Sequence, residues 1–320
     1  MHRDTFPNAV AVIGAGAVGG FFGAMLARAG VRVSFVGRPQ QVAAIARDGL
    51  RLDRGGSVET LRDAIVATTD LAAALRGVDL VLVCVKSTDT AATARAMAPH
   101  VAPGAVVMSL QNGVENAATL ARSLSGQTVV PTVVYVATAM PEPGLVKHFG
   151  RGDLVIGPLH TPADALTASR LGAVAACFAA AQVPVRIADD VRAELWTKLL
   201  VNCAYNAISA LAQANYGRLA ALPEIVDLQR GIVREVVAVA AAEDIALDID
   251  ASLAAMDRIA VAMPGQLSST AQDLARRKPS EIDHLNGVVV RLGRRHGIAT
   301  PLNAALLALV KLVEAGHAAA

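Results

Sequence analysis

The sequence has little net charge. It has 29 Lys and Arg against 27 Asp and Glu, a net charge of +2, too little to imply a nucleic-acid or anionic-membrane partner. Its densest basic clusters, Arg276-Arg277-Lys278 and Arg291, Arg294 and Arg295, have no aromatic residues interleaved and read as solvated helix faces. Cysteine is scarce too. Cys84, Cys177 and Cys203 are odd in number, far apart and set among apolar residues, which excludes a disulfide framework and fits reduced thiols in a cytoplasmic protein. The seven histidines form no HExxH or other ligand spacing, so no metal is expected. Charge is absent altogether from residues 9–27, but five glycines interrupt that run and Asp4 with Pro7 makes a poor basic leader. The expectation is a soluble, unprocessed protein that does not enter a membrane.

What is present is apolar: 54% of the 320 residues are hydrophobic, enough for a large core and two domains. The chain begins with an apolar run, 9–13, that enters Gly14-Ala15-Gly16-Ala17-Val18-Gly19. A strand leading through these glycines into a helix is a dinucleotide fingerprint. Gly14 allows the tight turn, Gly16 lets backbone N–H groups approach a pyrophosphate, and Gly19 lets helix and strand pack closely. The helix N-terminus then faces the anion.

Further β-branched runs at 31–36, 65–67, 80–85 and 105–110 alternate with helical stretches such as 40–48 and 90–98. This pattern predicts an α/β fold, a Rossmann-type, doubly wound and mostly parallel N-terminal domain. Strand-rich segments at 128–138, 145–149 and 153–156, separated by Pro141-Glu142-Pro143-Gly144 and by 150–152, read as antiparallel hairpins extending the sheet. From Asp189 the periodicity is helical, with long runs at 192–212, 225–243, 281–295 and 303–315. The division expected is 1–187 for the nucleotide-binding domain and 188–320 for an all-α C-terminal domain, with Asp189-Asp190 as a helix cap.

After the second strand, where an NAD site usually has a carboxylate, the chain reads Phe35-Val36-Gly37-Arg38. Arg38 is suited to a ribose 2′-phosphate, which favours NADP(H), although a plain surface arginine fits the loop as well. Lys86 and Asn112 follow the strands at 80–85 and 105–110, whose carboxyl ends border the ligand crevice in such sheets. Lys86 would hold a phosphate or substrate carboxylate. Asn112-Gly113 would meet the nicotinamide, or Asn112 would merely cap the next helix. Farther on, Lys198, Asn202 and Asn206 recur at i, i+4 and i+8 on an otherwise apolar helix. They share one face, and that face reads either as a site for a small polar ligand or as a solvated stripe. Ser269, with Gln272 three residues later, fits a capping box, a ligand role, or both.

Taken in order, GAGAVGG at 14–20, VGR at 36–38, VK at 85–86, LQNG at 110–113, WTKLLVNCAYN at 196–206 and the serine-rich segment at 268–287 resemble ketopantoate reductase, the 2-dehydropantoate 2-reductase family, over nearly the whole chain. The resemblance implies NADPH-dependent reduction of 2-dehydropantoate to pantoate, a step toward coenzyme A. It implies Lys198 as the catalytic lysine and Glu281 as the acidic residue beside lysine and cofactor. Arg38 and Lys86 would bind the cofactor, Asn112 both ligands, and Asn202, Asn206 and Ser269 the substrate. One position departs: where family members often carry a further asparagine, this chain has Tyr216 before Gly217. The other readings are a reductase of another small 2-keto acid or an opine-type dehydrogenase, and a non-catalytic NADP(H)-responsive binding protein. A homo-oligomer formed through the helical domain is compatible with all of them.

Overall fold

The structure is a computed structural model that describes residues 6–319. Contacts divide the chain into two compact units, 6–111 with 115–191, and 112–114 with the residues from Arg192 onward.

The first unit is built on one sheet. Its strands are β1 (Ala9–Ile13), β2 (Arg32–Val36), β3 (Leu50–Arg54), β4 (Ser57–Leu61), β5 (Ile65–Thr68), β6 (Leu80–Val83), β7 (Val106–Ser109), β8 (Thr128–Glu142), β9 (Leu145–Ile156) and β10 (Val185–Ile187). The spatial order is β4-β3-β9-β8-β7-β6-β1-β2-β5, with β10 beside β9. Parallel pairing runs from β5 through β2, β1, β6 and β7 to β8. β6 and β7 are buried along their whole length, which is why they read as apolar runs, broken only by Ser109 at the end of β7, rather than as alternation. The chain passes from β1 to β2 on one side and returns to β6 on the other, so the Gly14 turn lies where the strand order reverses, the usual ligand end of an open α/β sheet.

Two sequence expectations are corrected here, and one element that the sequence reading did not include is added. The runs 145–149 and 153–156 are one strand, since the backbone continues through Gly150 (φ +144°), Arg151 (φ +54°) and Gly152 (φ +142°) while the pairing shifts register at Tyr135/Val136. The extra residue bends the strand without ending it, so β8 and β9 form a single long hairpin closed at Pro143-Gly144. A second hairpin, β3–β4, went unpredicted although Gly55-Gly56, both at positive φ, mark the two-residue turn that suits right-handed strand twist. The helix expected over 281–295 is broken: a 3-10 turn covers Ile282–His284 and Leu285 leaves helical geometry at φ −112°, ψ −103°. The side chain of Asn286 donates to the Cys203 carbonyl (3.3 Å) and to Asn303 Oδ1 (2.9 Å), which pins the start of the next helix inward.

The helices of the first unit are α1 (Ala17–Arg28), α2 (Pro39–Asp48), α3 (Leu71–Leu75), α4 (Thr90–Met97), α5 (Asn116–Ala121) and α6 (Ala165–Ala180). The second unit is helical: α7 (Val191–Ala212, whose first residue belongs to the first unit), α8 (Tyr216–Ala220), α9 (Pro223–Ala242), α10 (Ile249–Ala262), α11 (Ser269–Ala275), α12 (Asn286–His296) and α13 (Pro301–Ala319). Its core packs Leu200, Cys203, Ile232, Val236, Val289 and Val310, all without solvent exposure or nearly so. Glu235 on α9 accepts from the main-chain N–H groups of Leu302 and Asn303 (2.9 and 3.0 Å), satisfying first-turn donors of α13 that have no partner within the helix. α12 ends at Gly297 in the left-handed conformation (φ +69°), the usual stop for a helix. Among the described residues no helix is long and apolar enough to cross a membrane.

Candidate active site

The nucleotide end of the first unit is shaped by three glycines with different physical tasks. Gly14 sits at φ +104°, and a Cβ there would lie 2.7 Å from the carbonyl carbon of Cys84. A side chain is excluded by both conformation and space. A Cβ on Gly19 would lie 2.3 Å from the Gly14 carbonyl oxygen and 2.8 Å from Val12 Cγ1, so α1 and β1 approach as closely as backbone permits. Gly16 is the opposite case: it is extended (φ −87°, ψ −163°) and a Cβ would meet no atom within 4 Å. The protein's own packing does not require glycine there. The turn is held by Gly14 and Ala15 N–H donating to the Val36 carbonyl, both at 3.0 Å, which leaves the first-turn amides of Ala17, Val18 and Gly19 at the N-terminus of α1 without intrahelical acceptors. Bare space at Gly16 beside such donors suits an anion that needs close backbone approach.

Arg38 follows β2 directly, in extended geometry before Pro39 as proline demands of its predecessor. Its carbonyl accepts from Gln41 and Val42, and its side chain is exposed. Lys86, also exposed, opens the short turn Ser87–Asp89 after β6.

The sequence reading missed the buried polar network beneath these loops. Gln111 Nε2 donates to the Val85 carbonyl (3.0 Å) and to Thr90 Oγ1 (2.7 Å), and its Oε1 accepts from Ser109 (3.1 Å). Thr90 in turn donates to Asn116 Oδ1 (2.8 Å), and Asn116 Nδ2 donates to Ser87 Oγ (3.2 Å). All five side chains are buried. Cooperating buried hydrogen bonds of this kind rigidify the loops they join, here the segment carrying Lys86. The available signal was a run of polar residues in apolar surroundings: buried polar groups must find partners. The alternative reading in which Asn112 merely caps the following helix does not hold, because the N-cap position of α5 is Glu115. Gly113 after it is at φ +94°.

In the second unit, Lys198, Asn202 and Asn206 lie along α7, spanning about 12 Å at helical rise. Lys198 and Asn202 are partly exposed, and Asn206 is buried. Leu200 and Ala204, on the opposite side of α7, are in the core, as are Leu199 and Cys203 on its flank. The hydroxyl of Ser268 joins this face to α11 by donating to the Asn206 carbonyl at 3.1 Å. Ser268, and not Ser269, is the N-cap of α11, its Oγ accepting from Ala271 N–H at 3.0 Å. The capping-box reading of Ser269 with Gln272 is therefore corrected by one residue: Ser269 is the first helical residue and its side chain is exposed. A pattern of serine plus a glutamine three residues on cannot tell which of two adjacent serines turns inward. Glu281, partly exposed, heads the 3-10 turn before α12.

Cys84, Cys177 and Cys203 are free thiols. Burial raises all three pKa values, that of Cys177 to about 11, which makes them poor nucleophiles. No group of three or more His, Cys, Asp or Glu that could hold a metal ion stands among the described residues.

Comparison with known proteins agrees with this architecture. Residues 10–161 match the family model for ketopantoate reductase PanE/ApbA, and residues 190–314 match that for its C-terminal domain. The chain is 34% identical over 307 residues to the 2-dehydropantoate 2-reductase of Halobacterium salinarum, covering 95% of this chain and 98% of that one. Among solved structures, the PanE/ApbA family ketopantoate reductase of Ralstonia eutropha JMP134 is 52% identical with a TM-score of 0.88, covering 97% of this chain and 99% of the other. A D-mandelate dehydrogenase crystallised with NADH and anilino(oxo)acetate is 25% identical with a TM-score of 0.87, covering 97% and 99%. An oxidoreductase fold with its nucleotide turn, and a helical unit presenting lysine and amides in register, thus coincide with sequence likeness over nearly the full length: the chain belongs to the ketopantoate reductase family.

Proposed function

We propose that the protein reduces 2-dehydropantoate to pantoate with NADPH as a cytoplasmic enzyme. The observation that carries the reading is the polar face of α7, where Lys198, Asn202 and Asn206 stand in register on a helix whose other side is core. The H. salinarum relative supports the choice of substrate.

NADPH would be held by the backbone amides of the turn from Gly14 through Ala15, Gly16, Ala17 and Val18 to Gly19, by Arg38 at the 2′-phosphate and by Lys86. Asn112 and Glu281 would contribute further contacts. When bound, the cofactor supplies a hydride to the ketone carbon. Negative charge then develops on the ketone oxygen, and a cation aimed at that oxygen lowers the barrier. The ammonium of Lys198 serves this purpose and passes a proton from Nζ to the oxygen, completing the alcohol. Glu281 orients the ammonium and favours its charged form. Asn112, Asn202, Asn206 and Ser269 hold the oxygen-rich ends of the substrate.

Likeness to a D-mandelate dehydrogenase in complex with NADH supports a second reading, a reductase of another 2-keto acid. Initial rates with NADPH and NADH against a panel of 2-keto acids separate the two. The highest kcat/KM with NADPH and 2-dehydropantoate is expected; a higher value with an aromatic or simple branched keto acid would establish the second reading.

A further inference from the structure

Asn206 is 3% exposed, and both of its oxygens accept hydrogen bonds, the side-chain one a long contact. Its main-chain carbonyl accepts from Ser268 Oγ, and its side-chain Oδ1 accepts from the Tyr216 hydroxyl at 3.5 Å. Tyr216 is itself held in place. Its ring lies 4.7 Å from that of Tyr205, tilted by 52°, and the Tyr205 hydroxyl donates to the Met256 carbonyl at 3.1 Å. The Tyr216 main-chain N–H donates to the Gln266 carbonyl at 3.0 Å, and the next residue, Gly217, donates to the Pro264 carbonyl at 2.8 Å. A Cβ on Gly217 would come within 3.1 Å of Pro264, so this approach of α8 to the segment before α11 is close.

Burial, with Tyr205 adding to it, raises the pKa of the Tyr216 phenol. The hydroxyl keeps its proton and acts as donor toward Asn206. An amide that accepts through Oδ1 has its Nδ2 on the other side. Among the described residues nothing accepts from Nδ2 of Asn206. That nitrogen is not among the buried side-chain atoms left without a partner, so it keeps contact with solvent and is open to a ligand oxygen that accepts from it.

We propose that Tyr216 is a positioning residue for the substrate: its hydroxyl fixes the Asn206 side chain with Nδ2 as the group offered to the keto acid, so that this point of the site recognises an oxygen acceptor. The inference rests on the reading of Asn206 as a substrate-binding residue. It also gives Tyr216, the position at which this chain departs from the family pattern, a defined task.

The test compares steady-state kinetics of Tyr216→Phe, Asn206→Ala, Asn206→Asp and the double variant Tyr216→Phe/Asn206→Ala on whichever keto acid the wild-type enzyme reduces best. Tyr216→Phe retains the ring and its packing against Tyr205. It should raise the keto-acid KM about five- to tenfold, in keeping with the net worth of one hydrogen bond, while leaving kcat and the NADPH KM within about twofold. Asn206→Asp keeps an acceptor for the phenol but removes both N–H donors, and should raise KM as Asn206→Ala does. In the Asn206→Ala background, Tyr216→Phe should have no further effect, because the group it positions is gone. If Asn206→Ala raises KM and Tyr216→Phe does not, the positioning role is wrong and the substrate role of Asn206 stands. Unchanged KM in Asn206→Ala overturns both.

Discussion

Ser268 and Asn206 are joined by a hydrogen bond from the serine hydroxyl to the asparagine carbonyl at 3.1 Å, and the same hydroxyl accepts from Ala271 N–H. One buried side chain thus starts α11 and ties it to the polar face of α7. Ser268→Ala should lower unfolding free energy by about 1–2 kcal/mol, the usual worth of an N-cap, read from urea midpoints. Ser269→Ala should stay within about 0.5 kcal/mol of wild type, as exposed substitutions do, yet raise the keto-acid KM. Equal destabilisation by the two would mean that Ser269 shares the capping role.

Gly14 and Gly16 should fail in different ways when changed to alanine. At Gly14 the added methyl meets backbone at 2.7 Å in a positive-φ conformation, so Gly14→Ala should lower Tm or prevent soluble expression. Gly16→Ala has room in the protein and should keep the wild-type Tm while losing NADPH affinity, followed by nicotinamide fluorescence. Wild-type NADPH affinity in Gly16→Ala would remove the case for close backbone approach at that residue.

Arg38 is the first residue beyond Gly37 at the end of β2, and it is exposed. Loss of a charge-assisted phosphate contact costs about 1.5–3 kcal/mol. Arg38→Ala should therefore weaken NADPH binding by roughly 10- to 100-fold and NADH binding little, measured by titration calorimetry. Parallel loss for both cofactors would assign Arg38 a structural role.

Lys198→Ala should reduce kcat by roughly 10²–10⁴, the range for a general acid, with NADPH binding retained. Lys198→Arg should recover little, because guanidinium keeps its charge but does not release a proton near neutral pH. Turnover of the alanine variant at the wild-type rate would exclude lysine as the proton donor.

Alkaline pH should destabilise the fold through its buried thiols. Each has a folded pKa above its ordinary value of 9.0, that of Cys177 being about 11. Above pH 9 the unfolded chain gives up these protons before the folded one does, so stability present below pH 9 is lost as pH rises. Urea midpoints should hold steady to about pH 8.5 and fall between pH 9 and pH 11. The fall should be smaller in Cys177→Ala, and an identical fall would assign the loss to other groups.

The strand–glycine turn–helix unit was legible because its requirements are local: the strand 9–13, the glycine spacing and the helix that follows all lie within one stretch of chain. The register of Lys198, Asn202 and Asn206 was legible for the same reason, since helical periodicity fixes which residues share a face. The β3–β4 hairpin was legible in principle from Gly55-Gly56 but was overlooked, and the continuity of β9 through Gly150 and Gly152 was hidden because glycines that bend a strand resemble glycines that end one.

Sequence alone determined the alternation of strands and helices in the first half, the parallel pattern of its strands and the helical character of the second half, because periodicity and turn chemistry act between near neighbours. Only the tertiary structure decided that Ser268 faces inward and Ser269 outward, that Tyr216 reaches Asn206 across ten residues of chain, that Gln111 carries a buried network, and that residues 112–114 cluster with the helical unit. These are contacts between residues distant along the chain. Each depends on which polar group finds a partner when water is removed, and near neighbours in sequence do not settle that.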